Sequence, residues 1–101
     1  MNYLSIDLFL KELDCNYFSI NSVILFGSFL NRSEFSDVDV IIVYDELPAV
    51  LQGRKISREF YGRFCKPLHI QSFTVSQSRE LNAFLRRAKH WECIYGKRPS
   101  P

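Results

Sequence analysis

Cysteine is scarce and unpaired in this 101-residue sequence: Cys15, Cys65 and Cys93 are odd in number and widely spaced. Neither a disulfide framework nor a paired zinc-ligand spacing can be built from them, so they are expected as buried, reduced thiols. No apolar run approaches the roughly 20 residues that span a bilayer. The N-terminus lacks a basic stretch followed by an apolar one, so no secretory signal is expected and cytosolic residence is the default. Internal repeats, low-complexity tracts and known DNA-reading motifs are absent. Charge is lopsided: residues 1–50 hold two basic side chains against eight acidic, and residues 51–101 three acidic against eleven basic. Either the two halves solvate and attract each other, or the early acids hold a metal while the later cations meet phosphates or an acidic partner.

What is present suits a globular domain. The chain is 47% hydrophobic and 24% charged, which argues against disorder, and its length allows one domain with a single core. Fifteen aromatic residues predict a core rich in Phe and Tyr.

The most informative stretch is Gly27 to Val43. A short apolar strand, residues 22–26, closes on Gly27-Ser28, and Asp37-Val38-Asp39 then runs into the apolar segment Val40 to Val43. Side chains two apart on a strand share a face, so the two carboxylates project together. The segment after them is apolar without alternation, as in a strand covered on both faces. Two solvated strand-end charges are the plain reading of Asp37 and Asp39; a bound cation is the sharper one. Gly27 would let the backbone turn and a ligand approach, and Ser28 offers a hydroxyl and an amide to a phosphate oxygen.

Around this stretch, helical spacing predicts a first helix over residues 5 to about 17, with Ser5 as N-cap. Residues 29–36 suit a short helix and loop, and a strand is expected over 37–44. Ile56, Phe60 and Phe64 predict a helix over 54–65, beyond an interruption at Gly53. After Pro67 a strand is expected over 68–73, with His69 and Gln71 on one face and Leu68 and Ile70 on the other. Leu81, Phe84, Leu85 and Ala88 predict a helix from about residue 76 or 78 to residue 90. Trp91 is expected at the edge of its apolar stripe, and Arg79, Arg86, Arg87 and Lys89 on its opposite face. Residues 93–96 suggest a short edge strand, and 97–101 a loose tail.

Gly27-Ser28 followed by Ser36-Asp37-Val38-Asp39-Val40, in this order of elements, resembles the signature of the DNA polymerase β-like nucleotidyltransferase superfamily. Within it, the chain is most similar to the minimal nucleotidyltransferase (MNT) domains of prokaryotes. The eight residues between Ser28 and Asp37 make a loop shorter than is usual there. The resemblance implies an α/β (α+β) nucleotidyltransferase fold over 1–101 as a single domain. A small mixed sheet of about three to four strands would carry helices mainly on one side.

The implied activity is Mg²⁺-dependent transfer of a nucleoside monophosphate, AMP from ATP above all, to a hydroxyl. Asp37 and Asp39 would be catalytic metal ligands, and Gly27, Ser28 and Arg32 would bind the nucleotide. The family usually presents a third carboxylate on the strand after Pro67; this sequence has His69 and Gln71 there. His69 is thus either a structural hydrogen-bonder, the plain reading of a lone strand histidine, or, if the Asp pair projects near its face, the best-placed substitute as proton acceptor or outer-shell ligand. Many MNT domains are antitoxin halves of toxin–antitoxin pairs whose partner is a helical HEPN protein, and the resemblance implies such a partner here. Two other readings compete. One is a catalytically weak homologue that binds a nucleotide or a partner. The other is an RNA-binding module using the basic helix, against which the Asp pair argues.

Overall fold

The computed structural model describes residues 3–31 and 35–100. Its centre is a four-stranded mixed sheet of order β3-β2-β1-β4, formed by β1 (Ile20–Phe26), β2 (Val38–Tyr44), β3 (Leu68–Thr74) and β4 (Trp91–Gly96). β1 runs antiparallel to both β2 and β4, whereas β2 and β3 are parallel. A parallel pair needs a crossover, because the chain must return to the starting end. The 3₁₀ segment Leu47–Gln52 and helix α3 (Gly53–Phe64) supply it.

The two faces of the sheet carry separate apolar layers. Period-two alternation turns Val38, Val40, Ile42 and Tyr44 toward α1 (Tyr3–Lys11), α2 (Leu13–Asn16) and α3, and Ile41 and Val43 toward α4 (Ser78–Ala88). On the first side Phe9, Phe60 and Phe64 pack edge-on or tilted, with ring centroids 4.8–5.7 Å apart. On the second, Leu81 and Leu85 of α4 meet Ile24, Ile41 and Val43. Most helices thus lie on one face and α4 alone on the other. β2 is covered on both sides, as its unbroken apolar run predicts.

Several boundaries differ from expectation. The first helix already includes Tyr3, so Ser5 lies inside it rather than capping it, and a break at Glu12 separates α1 from α2. Gly53 opens α3 in right-handed helical conformation instead of interrupting a helix, because the preceding 3₁₀ turn runs straight into it. Trp91 is the first residue of β4, paired with Phe26, and from there it packs at the edge of the layer formed by Leu81 and Leu85. The thiols are free, but Cys15 and Cys65 are exposed and Cys93 is partly covered. Cys65 follows α3 as a left-handed C-cap, a position that faces solvent. Among the described residues no helix is long and apolar enough to cross a membrane.

Candidate metal and nucleotide site

β2 and β3 begin, and β1 ends, at one edge of the sheet, and the residues singled out by sequence meet there. Asp37 immediately precedes β2 and Asp39 is its second residue, with buried Val38 between them pointing into the α1–α3 core. That alternation leaves both carboxylates on the α4 side of the sheet. In the parallel ladder Asp39 is opposite His69. Two bonds hold this register: Val38 N–H donates to the Pro67 carbonyl at 3.0 Å, and the Ser57 hydroxyl of α3 donates to the Leu68 carbonyl at 3.0 Å.

His69 faces both carboxylates. Its Nδ1 lies 3.3 Å from Asp37 Oδ2 and 3.3 Å from Asp39 Oδ1. Among the described residues these three side chains form the one group able to converge on a metal ion, with ligand atoms all within 4.8 Å of one another. Among the described residues no third carboxylate joins them, and an imidazole stands beside the pair. Burial pushes the Asp39 carboxyl above the usual carboxylate range, and the like charge of Asp37 adds to this, while the hydrogen bond and charge of His69 pull the other way. A cation between the carboxylates would relieve both upward pressures.

Gly27 packs against the same aspartate. It has φ +78°, and a Cβ built on it would lie 2.5 Å from Asp39 Oδ2. Only a residue without a side chain leaves that oxygen its present position. Ser28 opens the 3₁₀ turn Ser28–Asn31, in which Leu30 N–H donates to the Gly27 carbonyl at 3.1 Å. Gly27 and Ser28 are both exposed, beside the acidic pair. Arg32, expected to bind the nucleotide, lies outside the described residues. Gln71 shares the exposed side of β3 with His69, one strand repeat further from the edge.

The chain fold adds a cation that the sequence did not signal. Lys66, just before Pro67, sits over the Phe35 ring with its Nζ 5.1 Å from the centroid. Phe35 is two residues before Asp37 and packs edge-on against Phe29, in the α1–α3 layer rather than on the carboxylates' side of the sheet. Nothing in the spacing of Phe35 and Lys66 predicts the contact, because it arises from the β2–β3 pairing. The same pairing and the return of the chain into β4 bring the C-terminal end of α4, with Arg86, Arg87, Lys89 and His90, toward this edge of the sheet.

No protein-family model and no curated protein matches the chain. Solved structures do. One similar structure is a complex of a tri-AMPylated Shewanella oneidensis HEPN toxin with an MNT antitoxin: 15% identity, 96% of this chain and 74% of that chain covered, TM-score 0.62. A second is a toxin–antitoxin complex with AMP-PNP: 14% identity, 97% and 76% covered, TM-score 0.65. A third is a mutant of the MntA–HpeT toxin–antitoxin pair: 12% identity, 97% and 75% covered, TM-score 0.60. At such identities the likeness establishes the fold. The chain has the nucleotidyltransferase fold seen in the MNT complexes, in agreement with the resemblance carried by Gly27-Ser28 and Asp37-Val38-Asp39.

Proposed function

We propose that the chain is a nucleotidyltransferase of the MNT type that transfers AMP from ATP to a hydroxyl group on a helical, HEPN-type protein partner. The observation that carries the reading is the convergence of Asp37, Asp39 and His69 beside the Gly27-Ser28 turn. The neighbouring structures add a tri-AMPylated toxin in one case and AMP-PNP in another, which is the chemistry proposed here.

The donor set fits a divalent cation. Two hard carboxylate oxygens suit Mg²⁺, and the Gly27 cradle leaves Asp39 free to reach it. When bound, the ion neutralises phosphate charge and polarises the α-phosphoryl group. Asp37 and Asp39 hold and orient it, and Gly27 and Ser28 would receive the β- and γ-phosphates through backbone amides and the Ser28 hydroxyl. In the transfer, the acceptor oxygen forms a bond to the α-phosphorus, the bond to the pyrophosphate oxygen breaks, and pyrophosphate leaves. The hydroxyl proton must also go. His69 stands beside the carboxylates with an exposed ring, which suits it either to take that proton or to complete the cation's ligand set.

The test is transfer of label from α-labelled ATP, with divalent cation, to co-purified or candidate helical proteins. Replacing Asp37→Asn and Asp39→Asn together should lower transfer about 100-fold or more, because the cation and the charge stabilisation go together. Transfer that survived both changes would locate the chemistry elsewhere. One observation favours a second reading: no third carboxylate joins the pair among the described residues, and His69 already partners both aspartates. On that reading the chain binds nucleotide and partner without turnover, and the same assay would show a stable complex with no labelled product.

A further inference from the structure

Among the described residues the donor set at the head of β2 is mixed, two carboxylate oxygens and one imidazole nitrogen. Asp37 Oδ2 and Asp39 Oδ1 each lie 3.3 Å from His69 Nδ1, and the three side chains reach within 4.8 Å of one another. An octahedral ion with bonds of about 2.1 Å keeps adjacent ligand atoms about 3.0 Å apart and opposite ones about 4.2 Å apart. An ion would draw in each nitrogen–oxygen contact by about 0.3 Å, and the two carboxylate oxygens, which lie within 4.8 Å of each other, would settle on adjacent or opposite positions. The backbone need not move, because Asp39 and His69 are already opposite in the ladder and the bond from Val38 N–H to the Pro67 carbonyl fixes that register. The His69 side chain is 58% exposed, which leaves the solvent side of the ion to water and phosphate oxygens.

Nitrogen changes which ion the site prefers. Mg²⁺ is a hard ion that sheds water reluctantly, whereas imidazole nitrogen favours first-row transition ions, of which Mn²⁺ keeps the octahedral, oxygen-rich geometry nearest to that of Mg²⁺. We propose that His69 Nδ1 is an inner-sphere ligand of a divalent cation shared with Asp37 and Asp39, and that this nitrogen makes the site select Mn²⁺ over Mg²⁺. The inference rests on reading the carboxylates as the metal site of the proposed transferase. With Nδ1 bound to the ion and Nε2 carrying its hydrogen, His69 does not take the acceptor's proton. That proton passes to solvent or to a base on the acceptor.

The experiment uses the whole chain, metal-free and without nucleotide. Mn²⁺ is titrated by the disappearance of the free-ion electron paramagnetic resonance signal, and Mg²⁺ by competition. The expected result is Mn²⁺ binding about tenfold or more tighter than Mg²⁺, with nitrogen modulation in the electron spin-echo spectrum of bound Mn²⁺. His69→Ala should remove the modulation and weaken Mn²⁺ about tenfold or more, since even outer-shell partners of metal ligands carry 10–100-fold. His69→Asp should shift the preference back toward Mg²⁺. Thermal unfolding of both variants should stay near the parent's, because the side chain is exposed.

Equal affinities for the two ions, or unchanged Mn²⁺ affinity in His69→Ala, would overturn the proposal. Tighter Mn²⁺ binding in His69→Ala would overturn it as well, by showing that the imidazole competes with the ion. The two readings fail separately. His69-dependent Mn²⁺ binding without any nucleotide transfer leaves the ligand assignment and removes the transferase. Transfer that Mg²⁺ and Mn²⁺ support equally, indifferent to His69, does the reverse.

Discussion

At the scale of single residues, the site depends on a missing side chain as much as on charged ones. Gly27 has a positive φ and stands against Asp39 Oδ2, so a methyl group there must either move the carboxylate or distort the turn. Gly27→Ala is expected to cost about 1–2 kcal/mol from the left-handed backbone alone. Metal binding and any transfer should fall further than that loss of stability explains. Urea denaturation and metal titration on the same preparation separate the two effects; parent-like metal affinity in the alanine variant would refute the cradle. Asp39 itself is a group held at a cost, its carboxyl raised by burial and by Asp37. Tyr17 differs: its hydroxyl, pushed up to about 12 first by burial and then by Glu59, donates to that carboxylate and ties the end of α2 to α3.

At the scale of elements, the crossover from β2 through α3 to β3 places the site. The α3 stripe Ile56, Phe60 and Phe64 is buried against the sheet, and Ser57 on the same helix reaches the Leu68 carbonyl. These contacts set where β3 begins, and therefore which β3 residue stands beside Asp39. On the opposite face, α4 buries Leu81 and Leu85, and its Phe84 packs edge-on against Phe26 and Phe73. Leu85→Ala should cost about 2–5 kcal/mol, since it empties the centre of that layer. The measurement is the shift of the urea midpoint at constant slope. A change under about 0.5 kcal/mol, the range of surface substitutions, would mean that α4 is not packed as described.

At the scale of the whole molecule, the two apolar layers share their strands: Val40 and Ile42 serve one, Ile41 and Val43 the other. The Cα radius of gyration, 12.7 Å, is close to the about 13 Å of a compact chain of 100 residues, so no described segment stands apart. Loss of one layer should therefore expose the other, and the chain is expected to unfold in one transition, with far-ultraviolet and near-ultraviolet circular dichroism coinciding. Two separated transitions would mean that α4 and its layer form an independent unit.

The sequence by itself determined the strand that carries Asp37 and Asp39, the face they share, the turn at Gly27-Ser28 and the stripes of α3 and α4. Each follows from local periodicity or from the conformational freedom of one residue. Cap and boundary positions such as Ser5, Gly53 and Trp91 were less legible, because a neighbouring 3₁₀ turn or strand partner outweighs local preference. Only the tertiary structure decided that β2 and β3 pair in parallel with Asp39 against His69, that Lys66 lies over Phe35, and that α4 stands alone on the site's side of the sheet. Those facts come from contacts between segments distant in the chain, which no local pattern encodes. The sequence supplied two carboxylates and a histidine some thirty residues apart; strand pairing put the nitrogen between the oxygens.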